Sequence, residues 1–173
     1  MHDAAVMNRW FVAGASTTII GRAIFLRLLL RKFTRDVQSL GAGDYGPLLR
    51  SYHRDAILRF AEGHHRWSGE HRGVEAIESF LQEFVNAGLQ GEISEAYFGG
   101  PPWCMTIVAG FNDYAFGADG SIVYNNRTVL LVRTKWGKIM EQEDYYEDTE
   151  RIENFENYLR EVGNYGRNRQ VGE

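Results

Sequence analysis

The chain has 173 residues, of which 44% are hydrophobic, 13% aromatic and 24% charged, and its formal net charge is −4. This length predicts one domain with a substantial core, and the composition is typical of a globular protein. The negative balance argues against a nucleic-acid surface, which requires a basic stripe. Cys104 is the only cysteine, so an internal disulfide is excluded and we expect a reducing, cytoplasmic location.

The first predicted element is a helix whose apolar residues recur in steps of four and three: Ile19, Ala23, Leu26, Leu30, Phe33, Val37 and Leu40. Phe25, Leu28 and Leu29 widen this face, so we expect the helix to be covered on more than one side. The basic residues between Arg22 and Arg35 are interpreted as its polar face rather than as a membrane or RNA patch. The uncharged run at residues 10–21 is too short to span a bilayer, so we expect no stable membrane insertion.

Residues 41–46 read GAGDYG and match the spacing of a dinucleotide-binding glycine motif. In that motif a strand precedes the glycines and a helix begins within them. Here a helix precedes them and Pro47 follows at once, so we interpret the stretch as a helix stop. Asp44 is then a cap for a short helix over residues 48–53. We expect no cofactor.

The remaining elements are mainly strands. We predict a strand over residues 55–60, a polar loop, and an amphipathic helix over residues 74–88. Strands follow over residues 92–98, 103–114, 122–133 and 138–147, with hairpin turns at 117–120 and 135–138, and a last helix covers 150–162. Helices followed by an antiparallel meander predict an α+β fold. We assign one domain to residues 16–162, an N-terminal extension to residues 1–15 and a C-terminal tail to residues 163–173.

Several stretches together resemble the nuclear transport factor 2-like superfamily, and its SnoaL-like branch in particular. They are LGAGDYGPLLRSYHRDAILRF, HRG before a helix, GGPPW, and GKI followed by DYYEDT, and the resemblance covers roughly residues 30–160. It implies a cone: a strongly curved antiparallel sheet wrapped around a long N-terminal helix and shorter helices, enclosing a pocket. Members include polyketide cyclases, ketosteroid isomerases, limonene epoxide hydrolases and non-enzymatic binders, and many form dimers through the sheet. The fold therefore does not fix the function.

The resemblance also indicates which acids to consider. The two acids of the ketosteroid isomerases would fall near Phe60 and Val129, so that chemistry is not expected. Asp144 matches the acid that follows GKI in epoxide hydrolases and polyketide cyclases, and Asp113 matches the earlier acid of the epoxide hydrolases. The arginine expected two residues before it is Phe111 here, so this set is incomplete.

Because side chains alternate between the two faces of a strand, each acid can be assigned to one face of the sheet. Asp144 shares one with Met140, Gln142 and Tyr146, whereas Glu141 and Glu143 are assigned to the outer face. Asp113 follows an apolar face made by Met105, Ile107, Ala109 and Phe111. A two-residue turn at Trp136-Gly137 would pair Arg127 with Tyr146 and Val129 with Asp144. That register places Arg127 on the same face as Asp144. It directs Tyr124, Asn126 and Thr128 to the outer face.

Two functions stay open. In the first, the pocket binds a small, largely apolar organic molecule and Asp144, Asp113 and Arg127 carry out cofactor-free acid–base chemistry of the cyclase, isomerase or epoxide hydrolase type. In the second, the protein is a non-catalytic binding or scaffold module in which Arg127 neutralises a buried acid. The expected ligand contacts are Phe60, His64, Trp67, Trp103, Phe111, Val129, Met140, Gln142 and Tyr146. We expect no metal site, because adjacent His64 and His65 are poor joint ligands, and a homodimer formed through the sheet.

Overall fold

A computed structural model describes the backbone of residues 4–170 and the side chains of residues 21–163. Its helices are α1 (Ala4–Gly41), α2 (Gly46–Leu49), α3 (Gly73–Asn86) and α4 (Thr149–Gln170). Its strands are β1 (Tyr52–Phe60), β2 (Gly69–Arg72), β3 (Gln90–Gly99), β4 (Cys104–Phe116), β5 (Ile122–Lys135) and β6 (Lys138–Tyr146). The ends of the predicted extension and tail, residues 1–3 and 171–173, lie outside the described residues.

The chain divides into two units, residues 1–33 and residues 34–173. The described part of the first unit is a continuous stretch of α1. Ile24, Phe25 and Leu28 are exposed there, so the prediction that the helix is covered on more than one side is wrong for Phe25 and Leu28. Periodicity shows which residues share a face but not whether another element packs on it. No helix in the described part of the chain has both the length and the apolarity needed to cross a bilayer.

The second unit contains a curled six-stranded sheet in the order β2-β1-β6-β5-β4-β3. β1 pairs with β6 in parallel, and every other neighbouring pair of these strands is antiparallel. β6 and β5 form the centre of the sheet, and the long strand β4 lies between β5 and the edge strand β3. α3 packs on β1 and α4 packs on β5. The α+β prediction is confirmed.

The core lies on one face of the sheet, which we call the inner face. On β4 the alternating residues Met105, Ile107, Ala109, Phe111 and Asp113 are all buried, as predicted. The helices contribute further buried apolar side chains: Ile77, Phe80, Leu81 and Phe84 from α3, and Ile152 and Phe155 from α4. Asp113 is thus carried into the interior by the alternation of an otherwise apolar strand face.

The β5–β6 hairpin contains a bulge that the sequence pattern does not signal. The turn forms as predicted, with positive φ at Trp136 and Gly137 and Lys135 opposite Lys138. Thr134 still faces Ile139, but Arg133 faces Glu141, so Met140 is an extra residue on β6. A one-residue shift moves every later side chain of a partner strand to the other face. The predicted pairs beyond this point are therefore wrong by one residue.

Three other differences concern element boundaries. β2 lies in the stretch predicted to be a loop, because a four-residue polar strand has no apolar periodicity. α2 ends at Leu49, whereas Tyr52 and His53 already belong to β1. α4 continues to Gln170, beyond the predicted end at residue 162. Its start, at Thr149, was predicted to within one residue. The Asp148 carboxylate accepts the N–H groups of Glu150 and Arg151 at 3.0 and 3.2 Å.

Candidate functional site

The bulge places Asp113 and Asp144 within one inner-face group. Asp113 on β4 lies opposite Asn126, and Asp144 on β6 lies opposite Leu130. Asn126 and Leu130 are both buried and four residues apart on β5, so the two acids flank β5 on the same face. Between them in register is the pair Thr128 and Tyr146.

Uncharged polar side chains hold the two carboxyl groups. The Tyr124 hydroxyl donates to Asp113 Oδ2 at 3.1 Å. Gln142 Nε2 donates to Asp144 Oδ1 at 2.8 Å, and Gln142 Oε1 accepts the Tyr52 hydroxyl at 2.5 Å. Asp113, only 2% exposed, keeps its second oxygen Oδ1 buried without a hydrogen-bond partner. The group therefore orients both acids and leaves hydrogen-bonding capacity unused.

Burial favours the protonated form of both acids. It raises the pKa of Asp113 to about 7, although hydrogen bonds from Tyr124 and Tyr146 oppose the shift. Burial raises the pKa of Asp144 to about 7 as well, and the negative charge of Asp113 adds to that increase while Gln142 opposes it. Two carboxyl groups in this range can exchange protons near neutral pH.

Tyr146 connects the two acids electrostatically. Burial raises the pKa of its hydroxyl well above the ordinary value, and the charges of Asp113 and Asp144 raise it further. Burial likewise raises the pKa of Tyr124 and of Tyr52. These hydroxyl groups consequently keep their protons at neutral pH and act as hydrogen-bond donors.

Aromatic rings surround this polar group. The ring of Phe60 lies 4.8 Å from that of Tyr146 and 6.5 Å from that of Trp67, measured between centroids. Phe155 from α4 stacks on Tyr124 at 4.7 Å and on Trp67 at 6.2 Å. Such rings suit the apolar body of an organic molecule.

The prediction that Arg127 lies between the acids is wrong. Arg127 and Val129 are exposed and share the outer face, while Tyr124, Asn126 and Thr128 are buried on the inner face. The cause is the bulge at Met140, which pairs Thr128 rather than Arg127 with Tyr146. Arg127 lines an open surface depression of about 440 Å³ whose other lining residues include Phe116, Ile122 and Asp113. Val129 is accordingly not part of an inner-face site.

The other predicted ligand contacts divide into inner-face and surface residues. Phe60, Trp67, Phe111 and Gln142 are buried, and Met140, Asp144 and Tyr146 are partly buried. His64 and Trp103 are exposed. In the loop after β1 it is His65, not His64, that turns inwards and packs its ring against Phe60 at 5.5 Å.

Sequence reasoning missed four residues of this group: Tyr52, His65, Tyr124 and Thr128. Tyr124 and Thr128 were assigned to the wrong face by the register error.

Burial lowers the pKa of His65, against the opposing charges of Glu153 and Glu156. Neither its ring nitrogens nor Trp67 Nε1 has a hydrogen-bond partner.

The outer face is charged where β1, β6 and β5 adjoin. Glu141 and Glu143 lie there, as predicted, and form ion pairs with Arg59 and Arg133. Arg59 also pairs with Glu70 on β2 at 2.9 Å. These glutamates therefore belong to a surface network and not to the inner group. Among residues 21–163 no cluster of His, Cys, Asp and Glu could hold a metal ion.

Comparisons with known proteins show the fold. No protein-family model matches the chain, and a search of curated proteins finds no match. Similar solved structures include Bal32a from a soil-derived mobile gene cassette, with a TM-score of 0.60, 15% identity, and 73% of this chain and 95% of that chain covered. A nuclear transport factor 2-like protein from Anabaena variabilis has a TM-score of 0.56 and 22% identity, with 73% and 91% covered.

A third similar structure is TerC co-crystallised with polyporic acid, with a TM-score of 0.57, 20% identity, and 72% of this chain and 97% of that chain covered. Together with the curled sheet and its helices, these similarities show that the chain has the nuclear transport factor 2-like fold. Functions differ among proteins of one fold, so the site must carry the functional argument.

Proposed function

We propose that the inner face of the sheet binds a small, largely apolar organic molecule and that Asp113 and Asp144 carry out cofactor-free acid–base chemistry on it. The observation that carries this proposal is the pair of inner-face carboxyl groups whose pKa values burial raises to about 7. At neutral pH, one carboxylate accepts a proton from the bound molecule while the other carboxyl group donates one.

In the alternative function, Arg127 neutralises one of these acids in a structural ion pair, and that ion pair is not formed. Arg127 points to the outer face, and no Lys or Arg among the described side chains forms a salt bridge with Asp113 or Asp144. A buried acid without a counter-charge lowers stability at neutral pH, and such groups concentrate at functional sites. The acids are thus better explained by chemistry or binding than by scaffolding.

The known proteins support a ligand site on this fold. TerC, a similar structure, was co-crystallised with polyporic acid. The aromatic side chains of Phe60, Trp67 and Phe111 are buried here, and Phe60 packs against Tyr146, which lies in register between the two acids. We extend the proposal to the SnoaL-like branch, to one domain over residues 16–162, and to ligand contact by Met140, Gln142 and Tyr146. Contacts by His64 and Trp103 stay predictions.

The test is a binding screen with polyporic acid and a panel of small ring compounds bearing carbonyl and hydroxyl groups. Wild type is compared with Asp113→Asn, Asp144→Asn and the control Glu92→Gln, which removes an exposed acid on β3. We expect binding to wild type and Glu92→Gln, and at least about tenfold weaker binding to the two aspartate variants. Equal affinity for all four proteins would contradict the proposed site.

Mass spectrometry of the bound compounds separates the two remaining functions. If the protein is an enzyme, wild type converts the compound and Asp144→Asn lowers the rate of conversion more than about a hundredfold. A non-catalytic binding module holds the compound unchanged in wild type and variant alike.

A further inference from the structure

Charge is distributed very unevenly along the chain. Residues 4–35 contain six of the 19 Lys and Arg residues and none of the 23 Asp and Glu residues. The rest of the chain has 13 basic and 23 acidic residues, so a strongly cationic helix precedes a strongly anionic domain. Such asymmetry indicates a partner for the cationic segment that differs from the partners of the rest.

The same helix exposes apolar side chains. In the first unit Ile24, Phe25 and Leu28 are 54%, 38% and 59% exposed. Residues three and four positions apart on a helix are neighbours on its surface, so Leu28 adjoins both Phe25 and Ile24 and the three side chains form one patch. Arg22 and Arg27, both exposed, flank that patch.

Basic residues continue the patch towards the helix C-terminus. Arg31 and Lys32 follow Leu28 by three and four positions, so both lie on the same stripe of the first unit. Along this stripe the surface is apolar first and cationic afterwards. A helix that lies in the interface of a bilayer buries its apolar side chains at the acyl boundary, while its Lys and Arg side chains reach the phosphates.

We propose that residues 24–31 of α1, within the first unit, bind an anionic lipid surface, with Ile24, Phe25 and Leu28 in the acyl boundary and Arg27 and Arg31 at the phosphate level. The segment lies on the membrane and does not span it. Lipid explains both halves of the stripe, whereas a nucleic acid would use the cations and leave the aliphatic side chains in water. A second copy of the helix carries the same positive charge and would be repelled.

The first experiment is flotation of the 173-residue chain with vesicles. Vesicles of 70% phosphatidylcholine and 30% phosphatidylglycerol are compared with pure phosphatidylcholine at two salt concentrations. We expect binding to the anionic vesicles, at least about tenfold weaker binding to the neutral ones, and weakening at high salt, because each cation near the surface contributes about 1 kcal/mol.

Matched variants test whether the stripe is responsible for vesicle binding. Ile24→Ser with Leu28→Ser removes the apolar part, and the control Ile122→Ser with Val162→Ser changes two aliphatic side chains that are 62% and 50% exposed elsewhere. Arg27→Gln with Arg31→Gln reduces the charge. The first pair is expected to weaken vesicle binding at least about tenfold and the charge pair roughly 20-fold or more, with no change for the control.

Several results would overturn the proposal. They are absence of binding to the anionic vesicles, equal binding to neutral ones, and binding unchanged by the helix variants. Because all substituted residues are exposed, thermal melts should match that of wild type; a lower melting temperature in the helix variants alone would show that the patch packs within the protein. Light scattering that shows wild-type oligomers dissociated by Ile24→Ser with Leu28→Ser would identify a second copy as the occupant instead.

Discussion

Asp113 and Asp144 are the residues whose chemistry departs most from that of an ordinary surface acid. Each is held by a neutral donor, Tyr124 or Gln142, rather than by a cation. A neutral donor orients a carboxyl group without fixing it in the ionised form, so desolvation determines the protonation state. This arrangement gives each acid access to both states near neutral pH.

A pH dependence of stability follows from the raised pKa values. An acid with a higher pKa in the folded protein stabilises the fold below its unfolded pKa of about 4, and this stability is lost as the pH rises through about 7. Asp144→Asn resembles the protonated form. Relative to this variant, we expect wild type to lose about 2 kcal/mol of unfolding free energy between pH 5 and pH 8.

Urea denaturation at both pH values measures that difference. Glu92→Gln serves as the control and should show the pH dependence of wild type. Parallel pH profiles for wild type and Asp144→Asn would show that Asp144 titrates as an ordinary surface acid.

His65 should show the opposite sign. Burial lowers its pKa below 6.5, so its neutral form stabilises the fold above that pH, and the stability is lost as the pH falls through the folded pKa. His65→Leu removes the titration and two unpaired ring nitrogens. We expect the variant to be at least as stable as wild type at pH 7 and to gain stability relative to wild type at pH 5. The exposed neighbour His64 provides the control, since His64→Leu should change little; a destabilised His65→Leu at pH 5 would refute this view of the loop.

At the scale of elements, the β5–β6 hairpin determines the composition of the site. The sequence Trp136-Gly137 predicts its turn. The extra residue Met140 sets the register after the turn, and this register places Gln142 and Asp144 on the same face as Thr128. Residues 140–146 read MEQEDYY, and the polar residues on both faces give no periodicity that would reveal a bulge. On β4, by contrast, the apolar alternation is strong, and the position of Asp113 could be predicted from it.

The turn itself can be improved. Trp136 has a φ of 50°, in the left-handed region where a tryptophan is strained and asparagine is favoured. Trp136→Asn is therefore expected to raise the free energy of unfolding by about 0.5–1 kcal/mol. Trp103→Asn, which replaces another exposed tryptophan without positive φ, is the control. Denaturation curves in which both variants lose stability would contradict the strained-turn explanation.

At the scale of the whole molecule, the order of helices and strands was predictable because long amphipathic and alternating segments carry strong signals. The α+β fold and its likeness to nuclear transport factor 2-like proteins followed from that order. The loop after β1 was not predictable in the same way. Its polar residues 61–68 do not show that His65 and Trp67 turn inwards, since burial there depends on Phe60, Phe155 and other residues distant in sequence.

The expected homodimer through the sheet remains a proposal at this scale. Val129 and Tyr145 are exposed and face each other across β5 and β6 on the outer face. Val129→Asp is expected to weaken self-association at least about tenfold, because a dimer would bury the new charge. Sedimentation of wild type, this variant and the α4 control Val162→Asp measures self-association. A wild type that stays monomeric at all concentrations would reject the dimer.

The most direct test of the central claim, that the inner face carries two acids poised near neutral pH, is a carboxyl-carbon NMR titration of aspartate-labelled protein. Asp113→Asn and Asp144→Asn assign the two signals. We expect one buried and one partly buried carboxyl group that both titrate near pH 7, with the Asp144 midpoint moving to lower pH when Asp113 is neutralised. Midpoints close to the ordinary value of about 4 for both acids would contradict the acid–base site.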